Sequence, residues 1–484
     1  MSPPIVVVCI ALKYKSISLL ADYHQSGQSV FAPGWKFLGG KKDASDYEWA
    51  IWAPYLCSSI PWLCVHLVGA EVVRYFCREL LSLWYLTVSL MYLLLNIGAV
   101  SMLYILIEPF VMYGLLQLER RSVLYIAGLV LLVFHNTDIR MNWMPITYES
   151  QYLLMLATAW IYMRCQSFCQ DKLSSGKIHA SVTDIVTMLG YCLYFPMLFL
   201  GPLMLFVNFE EGVNKPYSPW TIQRLKILVL NLIRYCWWGF FLEALTHVLY
   251  ISAIQMDMKL LTGLGAWAHY GLGFGMGIVF QLKYVVSYGI SCTIAKAEKI
   301  QSPHPPKCVG RIHLYSDMWR HFDQGLYLFL RKYIYVPILG NNYSLCWKLM
   351  ASLMCFMFVY AWHRVYNFVL MWSVLNYVGV TLEALGKALG ATSGYLHYEK
   401  MLLVTPENIR RFHALLGTPM LIMSALSNFY FFAGMSVGNY YVKRFMTGCL
   451  QENFGLFLFC YCLSQVSIEV KNWEFRQHHH TKQS

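Results

Sequence analysis

Charge is what this chain has least of. Asp, Glu, Lys and Arg together make up 13% of its 484 residues, about half the share of roughly 25% found in soluble domains. With 58% hydrophobic residues and a mean hydropathy of +0.46, a water-soluble globule is excluded. A disulfide framework is missing too. The 15 cysteines show no regular spacing, and Cys57, Cys64, Cys192, Cys236, Cys355, Cys460 and Cys462 fall inside apolar runs, where they read as small hydrophobes. Cys165 and Cys169 stand four apart without a partner pair, so a zinc site has no basis. There is no Walker-type glycine loop and no His-Glu-x-x-His, which removes ATP-driven pumping and zinc proteolysis.

What is present is length in the apolar runs. At about 20 residues per crossing, they predict an all-α, polytopic transmembrane bundle of about ten to twelve spans plus re-entrant or interfacial helices. Helices follow because backbone in lipid must satisfy its own hydrogen bonds, and the runs alternate too rarely for a β-barrel. Ile5–Leu12, followed by Lys13 and Lys15, reads as a retained first helix, and the segment from Asp22 to about Trp49 as a polar loop. Spans are expected near 50–70, 82–97, 99–118, 122–135, 150–166 and 184–207, the last broken by Pro196 and Gly201-Pro202. That break is either buried in protein or lining a cavity, or else a kink needed only for packing.

Two long windows follow, 226–256 and 260–295, the second rich in glycine at 263, 265, 271, 273, 275 and 277. Lys296–Arg311 is the most polar internal loop, expected on the cytosolic side. Ile312–Asn342 is too charged for a lipid-facing span and too aromatic for a loose loop, so it is expected to be re-entrant or interfacial. Final spans are expected near 345–362, 366–386, 415–434 and 450–468. The net charge of +12 comes from basic residues in short segments between spans, such as Arg120-Arg121 and Arg410-Arg411. It fits cytoplasmic loop bias and anionic headgroup contact rather than nucleic acid. Without an internal repeat or a linker, residues 1–484 read as one domain.

The residue with the most to explain is His363, at the end of the apolar run Phe356-Met357-Phe358-Val359-Tyr360-Ala361-Trp362. An imidazole beside lipid is costly unless it pairs or reacts. Asp323 lies beside a second hydrophobic span. A base and an acid at such places point to proton-transfer chemistry within a bilayer, whereas alone the histidine reads more often as a packed or interfacial residue and Asp323 equally as an ion-pair partner of Arg320 or Arg331. Glu243, His247, His269 and Lys283, inside the long windows, offer a competing reading as a transporter's proton path.

The stretch around Trp362-His363, with Tyr366 and Trp372-Ser373-Val374-Leu375-Asn376 after it, resembles the histidine region of the membrane-bound O-acyltransferases. Gly39-Gly40-Lys41-Lys42-Asp43-Ala44-Ser45-Asp46, Tyr194-Phe195-Pro196 with Gly201-Pro202, Met318-Trp319-Arg320-His321-Phe322-Asp323, and Ser427-Asn428 before Gly434 are similar to the Hedgehog acyltransferase branch, in the same order along nearly the whole chain. Cys308-Val309-Gly310-Arg311 resembles its insect members.

The resemblance implies a central acyl-transfer tunnel. It also implies an enzyme of the endoplasmic reticulum membrane that moves palmitate from palmitoyl-CoA to the N-terminal cysteine of Hedgehog-type secreted proteins. By the same resemblance, His363 is the catalytic histidine, Asp323 its acidic partner, Trp319 the aromatic gating the acyl-CoA pocket, Asn428 a polar group at the reaction centre and Cys308 the ligand of a haem iron. A branch without the histidine is taken as non-catalytic, and His363 sets this chain apart from it. One departure stands out: Arg364-Val365 follow the histidine, where the family commonly has glycine and a second small residue. A cation there is expected to narrow the peptide entrance or disfavour the imidazolium. A Wnt-type sibling acyltransferase, a transporter and a non-catalytic secretion factor are the alternatives.

Overall fold

A computed structural model describes residues 30–137, 144–176, 178 and 180–483. The expected first helix at Ile5–Leu12 lies outside the described residues. From there the chain opens with a small antiparallel hairpin, β1 (Phe31–Pro33) and β2 (Lys41–Asp43), turning through Gly39 and Gly40 at φ 100° and 74°. The rest is helical: α1 (Tyr47–Phe76), α2 (Leu81–Asn96), α3 (Ala99–Leu116), α4 (Arg121–His135), α5 (Tyr148–Ser175), α6 (Val182–Cys192), α7 (Phe206–Asn214), α8 (Ile222–Val248), α9 (Ile251–Met256), α10 (Met258–Thr262), α11 (Ala266–Ala297), α12 (Tyr315–His321), α13 (Gln324–Leu330), α14 (Val336–Leu339), α15 (Leu345–Trp362), α16 (Asn367–Gly390), α17 (Ser393–Leu403), α18 (Pro406–Thr447) and α19 (Leu450–Gln483).

Among the described residues nine helices are long and apolar enough to cross a membrane, and some of the other expected runs are built differently. The difference has local causes. α4 is apolar but short. α5 spans the expected 150–166 run, yet its residues from Trp160 to Gln170 are all buried and include Arg164 and Gln166, so it is an interior helix. The 184–207 run is no crossing at all. Helix α6 stops at Cys192, a short turn at Phe195–Met197 follows, and irregular backbone continues to Leu205. Toward the C-terminus, 415–434 forms part of the 42-residue α18, which kinks at Gly434 (φ 79°, ψ −173°), a conformation essentially confined to glycine.

The irregular stretch after α6 is buried throughout, and its carbonyls are answered by α5 and α6. Arg164, 1% exposed, donates to the Cys192 carbonyl at 2.9 Å and to that of Met197. Trp160 donates to Phe199 at 3.1 Å and Tyr191 to Met204 at 2.6 Å, while the Ser167 hydroxyl accepts from the Phe206 amide at 2.9 Å. Non-helical backbone at membrane depth needs this burial in protein. Of the two readings of Pro196 and Gly201-Pro202, the buried break holds, as a packed internal platform. On it rests Gly325 of α13, where a Cβ would stand 2.0 Å from the Leu203 carbonyl oxygen.

Residues 312–342 form short helices, α12, α13 and α14, with a π-helical turn at Arg331–Tyr335, as expected of a re-entrant segment. The polar loop before them is pinned by α19. Glu474 pairs with Lys307 (3.2 Å) and Arg311, Ser467 contacts His313 at 2.8 Å, and Lys471 reaches Asp317 at 2.6 Å. Burial raises the Asp317 carboxyl, but the Lys471 ammonium and neighbouring cations outweigh it and hold it below the usual carboxylate range.

The four residues of the transporter reading are placed otherwise. Glu243 pairs with Lys42 at 2.5 Å and accepts from the Trp49 indole at 2.9 Å. His247 accepts from the Trp35 amide at 2.9 Å, and Lys283 binds Asp46 and Glu48, each at 2.8 Å. These three tie down the hairpin and the start of α1. His269 stacks on Tyr441, ring centres 4.0 Å apart. They do not line up as a proton path.

Gly325→Ala is expected to cost at least about 1–3 kcal/mol by overpacking against Leu203. Thermal unfolding of the purified variant in detergent checks this, an unchanged midpoint being the contrary result.

Candidate active site

The site begins where α15 ends. The last turn of α15 is held by Asn136, at the end of α4, whose amide donates to the Ala361 carbonyl at 2.9 Å while its side-chain oxygen accepts from the Val365 amide at 2.9 Å. Trp362 adds an indole bond to the Ala159 carbonyl at 3.2 Å. Between these anchors sits His363, its amide still bonded to Val359 at 3.0 Å. The imidazole stands edge-on among Trp362, Phe431 and Trp372, with centroids 4.6, 5.2 and 5.6 Å away. Among the described residues no side chain or backbone group hydrogen-bonds its ring nitrogens. The aromatic cage sets its direction and leaves both nitrogens open.

His363 lines a predominantly apolar cavity of about 520 Å³, within the range of about 300–1,000 Å³ common to ligand sites. Asp323, Trp319 and Asn428 line the same cavity, so the structure brings these four sequence-derived residues together. Trp319 and Asn428 are linked by one polar chain. The Trp319 indole donates to Asn376 at 3.2 Å, the Asn376 amide to the Trp372 carbonyl at 2.8 Å, and the Trp372 indole to Asn428 at 3.1 Å. Asn376 also contacts the Ser427 hydroxyl at 3.3 Å.

Asp323 is the N-cap of α13, one oxygen accepting from the Leu326 amide at 2.9 Å and the other from the Tyr288 hydroxyl at 2.8 Å. It makes no hydrogen bond to His363. The acidic partner implied by the resemblance therefore shares the cavity with the histidine without a direct contact between them. Tyr288, Asn376, Trp372 and Asn136 are the parts that single-residue reasoning missed. Asn376 and Trp372 belong to a stretch quoted above for its resemblance, whereas nothing in the sequence marks Tyr288 or Asn136.

Arg364 follows the histidine at φ 77°, in the left-handed region that favours glycine. Its guanidinium points to Met155 and the Tyr366 hydroxyl, and it is not among the cavity's lining residues. The expectation that it narrows the entrance gains no support from this placement; the position takes a left-handed backbone conformation, which here an arginine adopts at some strain. Gly-x-Ser-x-Gly spacing does occur, at Gly434-Met435-Ser436-Val437-Gly438, but on the α18 kink with Ser436 exposed. A nucleophile elbow needs a strand-turn-helix setting, so serine hydrolysis gains nothing from it.

Cys308 is exposed at a turn and does not line the cavity, whose wall starts at the next residue, Val309. Among the described residues no His, Cys, Asp and Glu cluster could hold a metal ion. The haem expectation finds no support in these residues.

Arg364→Gly is expected to relieve about 1 kcal/mol of backbone strain without disturbing the cavity. A raised or equal unfolding midpoint agrees, and a fall of several degrees contradicts it.

Comparison with known proteins fits this geometry. The chain is 29% identical over 464 residues to protein-cysteine N-palmitoyltransferase Rasp of Drosophila melanogaster, covering 94% of this chain and 91% of that one. It is 26% identical over 449 residues to protein-cysteine N-palmitoyltransferase HHAT of Mus musculus, covering 89% of each. With the mouse HHAT-like protein it shares 28% over 362 residues, 72% of this chain and 70% of the other. The pattern of one family spans residues 75–427, from the end of α1 to the kinked helix beside the cavity, and by it this chain belongs to the MBOAT, or membrane-bound O-acyltransferase, family.

Proposed function

We propose that the protein is a protein-cysteine N-palmitoyltransferase that moves palmitate from palmitoyl-CoA to the N-terminal cysteine of a Hedgehog-type secreted protein, in the endoplasmic reticulum membrane. The observation that carries this reading is His363, both ring nitrogens free of hydrogen bonds, facing an apolar cavity shared with Asp323, Trp319 and Asn428. The Rasp and HHAT relatives supply the substrate class.

The palmitoyl chain lies along the apolar wall, with its thioester carbonyl near His363. The substrate's N-terminal amine attacks that carbonyl carbon, the N–C bond forms and the C–S bond breaks. CoA leaves as thiolate, and His363 takes the proton the amine gives up. Burial in apolar surroundings disfavours a charged imidazolium, so the resting ring is a neutral base, ready for this transfer. Asn428, fixed through its oxygen by the Trp372 indole, keeps its amide N–H groups for the carbonyl end, and the Trp319 ring, held by Asn376, stands as the aromatic at the pocket.

Asp323, held by Tyr288 and the α13 N-terminus, is the acid that shares the cavity with this base. That hold makes Tyr288 a positioning residue.

His363→Ala is expected to leave a folded protein whose palmitoyl transfer to a Cys-initiated peptide falls at least about a hundredfold. Labelled palmitoyl-CoA measures this, and near-normal turnover removes the base from the scheme. Tyr288→Phe and Asp323→Asn are expected to lower kcat several-fold while palmitoyl-CoA affinity stays within about twofold, because neither substitution removes apolar surface from the cavity. A defect in affinity alone speaks against the assignment.

A further inference from the structure

The cavity runs along one face of α11. From the Asp323 end it is lined by Tyr288, Tyr284 and Phe280, then by Gly277, at helical spacings of three and four that keep these residues on one side. Eleven residues at about 1.5 Å each put Gly277 about 16 Å along the axis from Tyr288, the scale of an extended palmitoyl chain whose thioester sits by His363.

The α11 glycines differ in what they are for. A Cβ on Gly273 would stand 2.6 Å from the Phe429 ring and 3.0 Å from Tyr441, and one on Gly275 would stand 2.9 Å from Ile251. At these positions glycine lets neighbours pack. At Gly277 a Cβ would meet nothing within 4 Å, although the residue lines the cavity. Close packing does not explain a missing side chain there. Glycine inside a helix also costs about 0.5–1 kcal/mol relative to alanine. The absent side chain leaves volume empty at the depth where the tail of an acyl chain ends.

We infer that Gly277 is a specificity-determining residue, whose open Cβ direction admits the last methylenes of the palmitoyl chain and so sets the acyl length accepted by the cavity. This rests on the acyltransferase reading above and adds a particular wall to it. A larger side chain at 277 occupies the tail end of the cavity and leaves the thioester end untouched, so it discriminates by chain length rather than by chemistry.

The test is Gly277→Leu, assayed with lauroyl-, myristoyl-, palmitoyl- and stearoyl-CoA against a Cys-initiated peptide. The ratio of kcat/KM for palmitoyl- over myristoyl-CoA is expected to fall roughly tenfold or more, the effect of denying burial to two methylenes, with myristoyl transfer retained. Gly277→Ala, a milder change that also serves should the leucine variant fail to fold, is expected to lower the stearoyl over palmitoyl ratio several-fold. Equal losses for all chain lengths, or unchanged ratios in both variants, overturn the inference. Affinities for the same CoA series, read without peptide, give the ratio independently of catalysis. Absence of transfer by the unmutated protein would therefore count against the proposed reaction, while the affinity ratios still decide the role of Gly277.

Discussion

Everything at the site leans on how one buried, non-helical stretch is kept satisfied where no water can reach it. The carbonyls after α6 have lost their helical partners, and each left bare in an apolar interior would cost several kcal/mol. Arg164 answers two of them from inside α5, and Trp160 and Tyr191 answer others. A buried guanidinium is itself expensive, but here its donors meet fixed acceptors on the platform it supports. The platform's Leu203 backbone then receives Gly325, two residues past Asp323, so the acid's place in the cavity follows from hydrogen bonds made two helices away.

The base is placed by different means. The α15 C-terminus is caught between Asn136 and Trp362, and its imidazole is confined by ring edges instead of by a hydrogen-bonded partner. Hydrogen bonds would orient the ring more firmly, but they would also occupy the nitrogen on which the proposed transfer depends. An aromatic cage gives direction at no such cost. The carboxylate shows the opposite solution, with both oxygens committed to hydrogen bonds.

Long apolar runs made the class of fold legible at once, since α1, α2, α3, α8, α11 and α15 are continuous in composition as well as in space. Helix α5 was harder because its polar residues face protein, not water, and composition cannot tell which. The break after α6 was visible in Pro196 and Gly201-Pro202, but its role depends on Arg164, a residue about thirty positions earlier that reads as ordinary charge. At the site, His363 and Asp323 stood out as ionisable groups beside spans. Tyr288 and Asn136 did not, because an aromatic within an apolar helix and an amide at a helix end are common for reasons unrelated to chemistry. Glu243, His247 and Lys283 drew attention for the same reason as His363, and their partners turned out to be the hairpin and the start of α1.

The left-handed backbone at Arg364 bears on how such chains diverge. If relatives place glycine after the histidine, then the heritable quantity at this step is a dihedral angle and not a letter. Any residue whose side chain finds anchorage outside the cavity, as the guanidinium does at Met155 and Tyr366, can preserve the turn that aims the imidazole. A pattern written as histidine-glycine would overlook lineages in which shape has been kept while spelling has drifted.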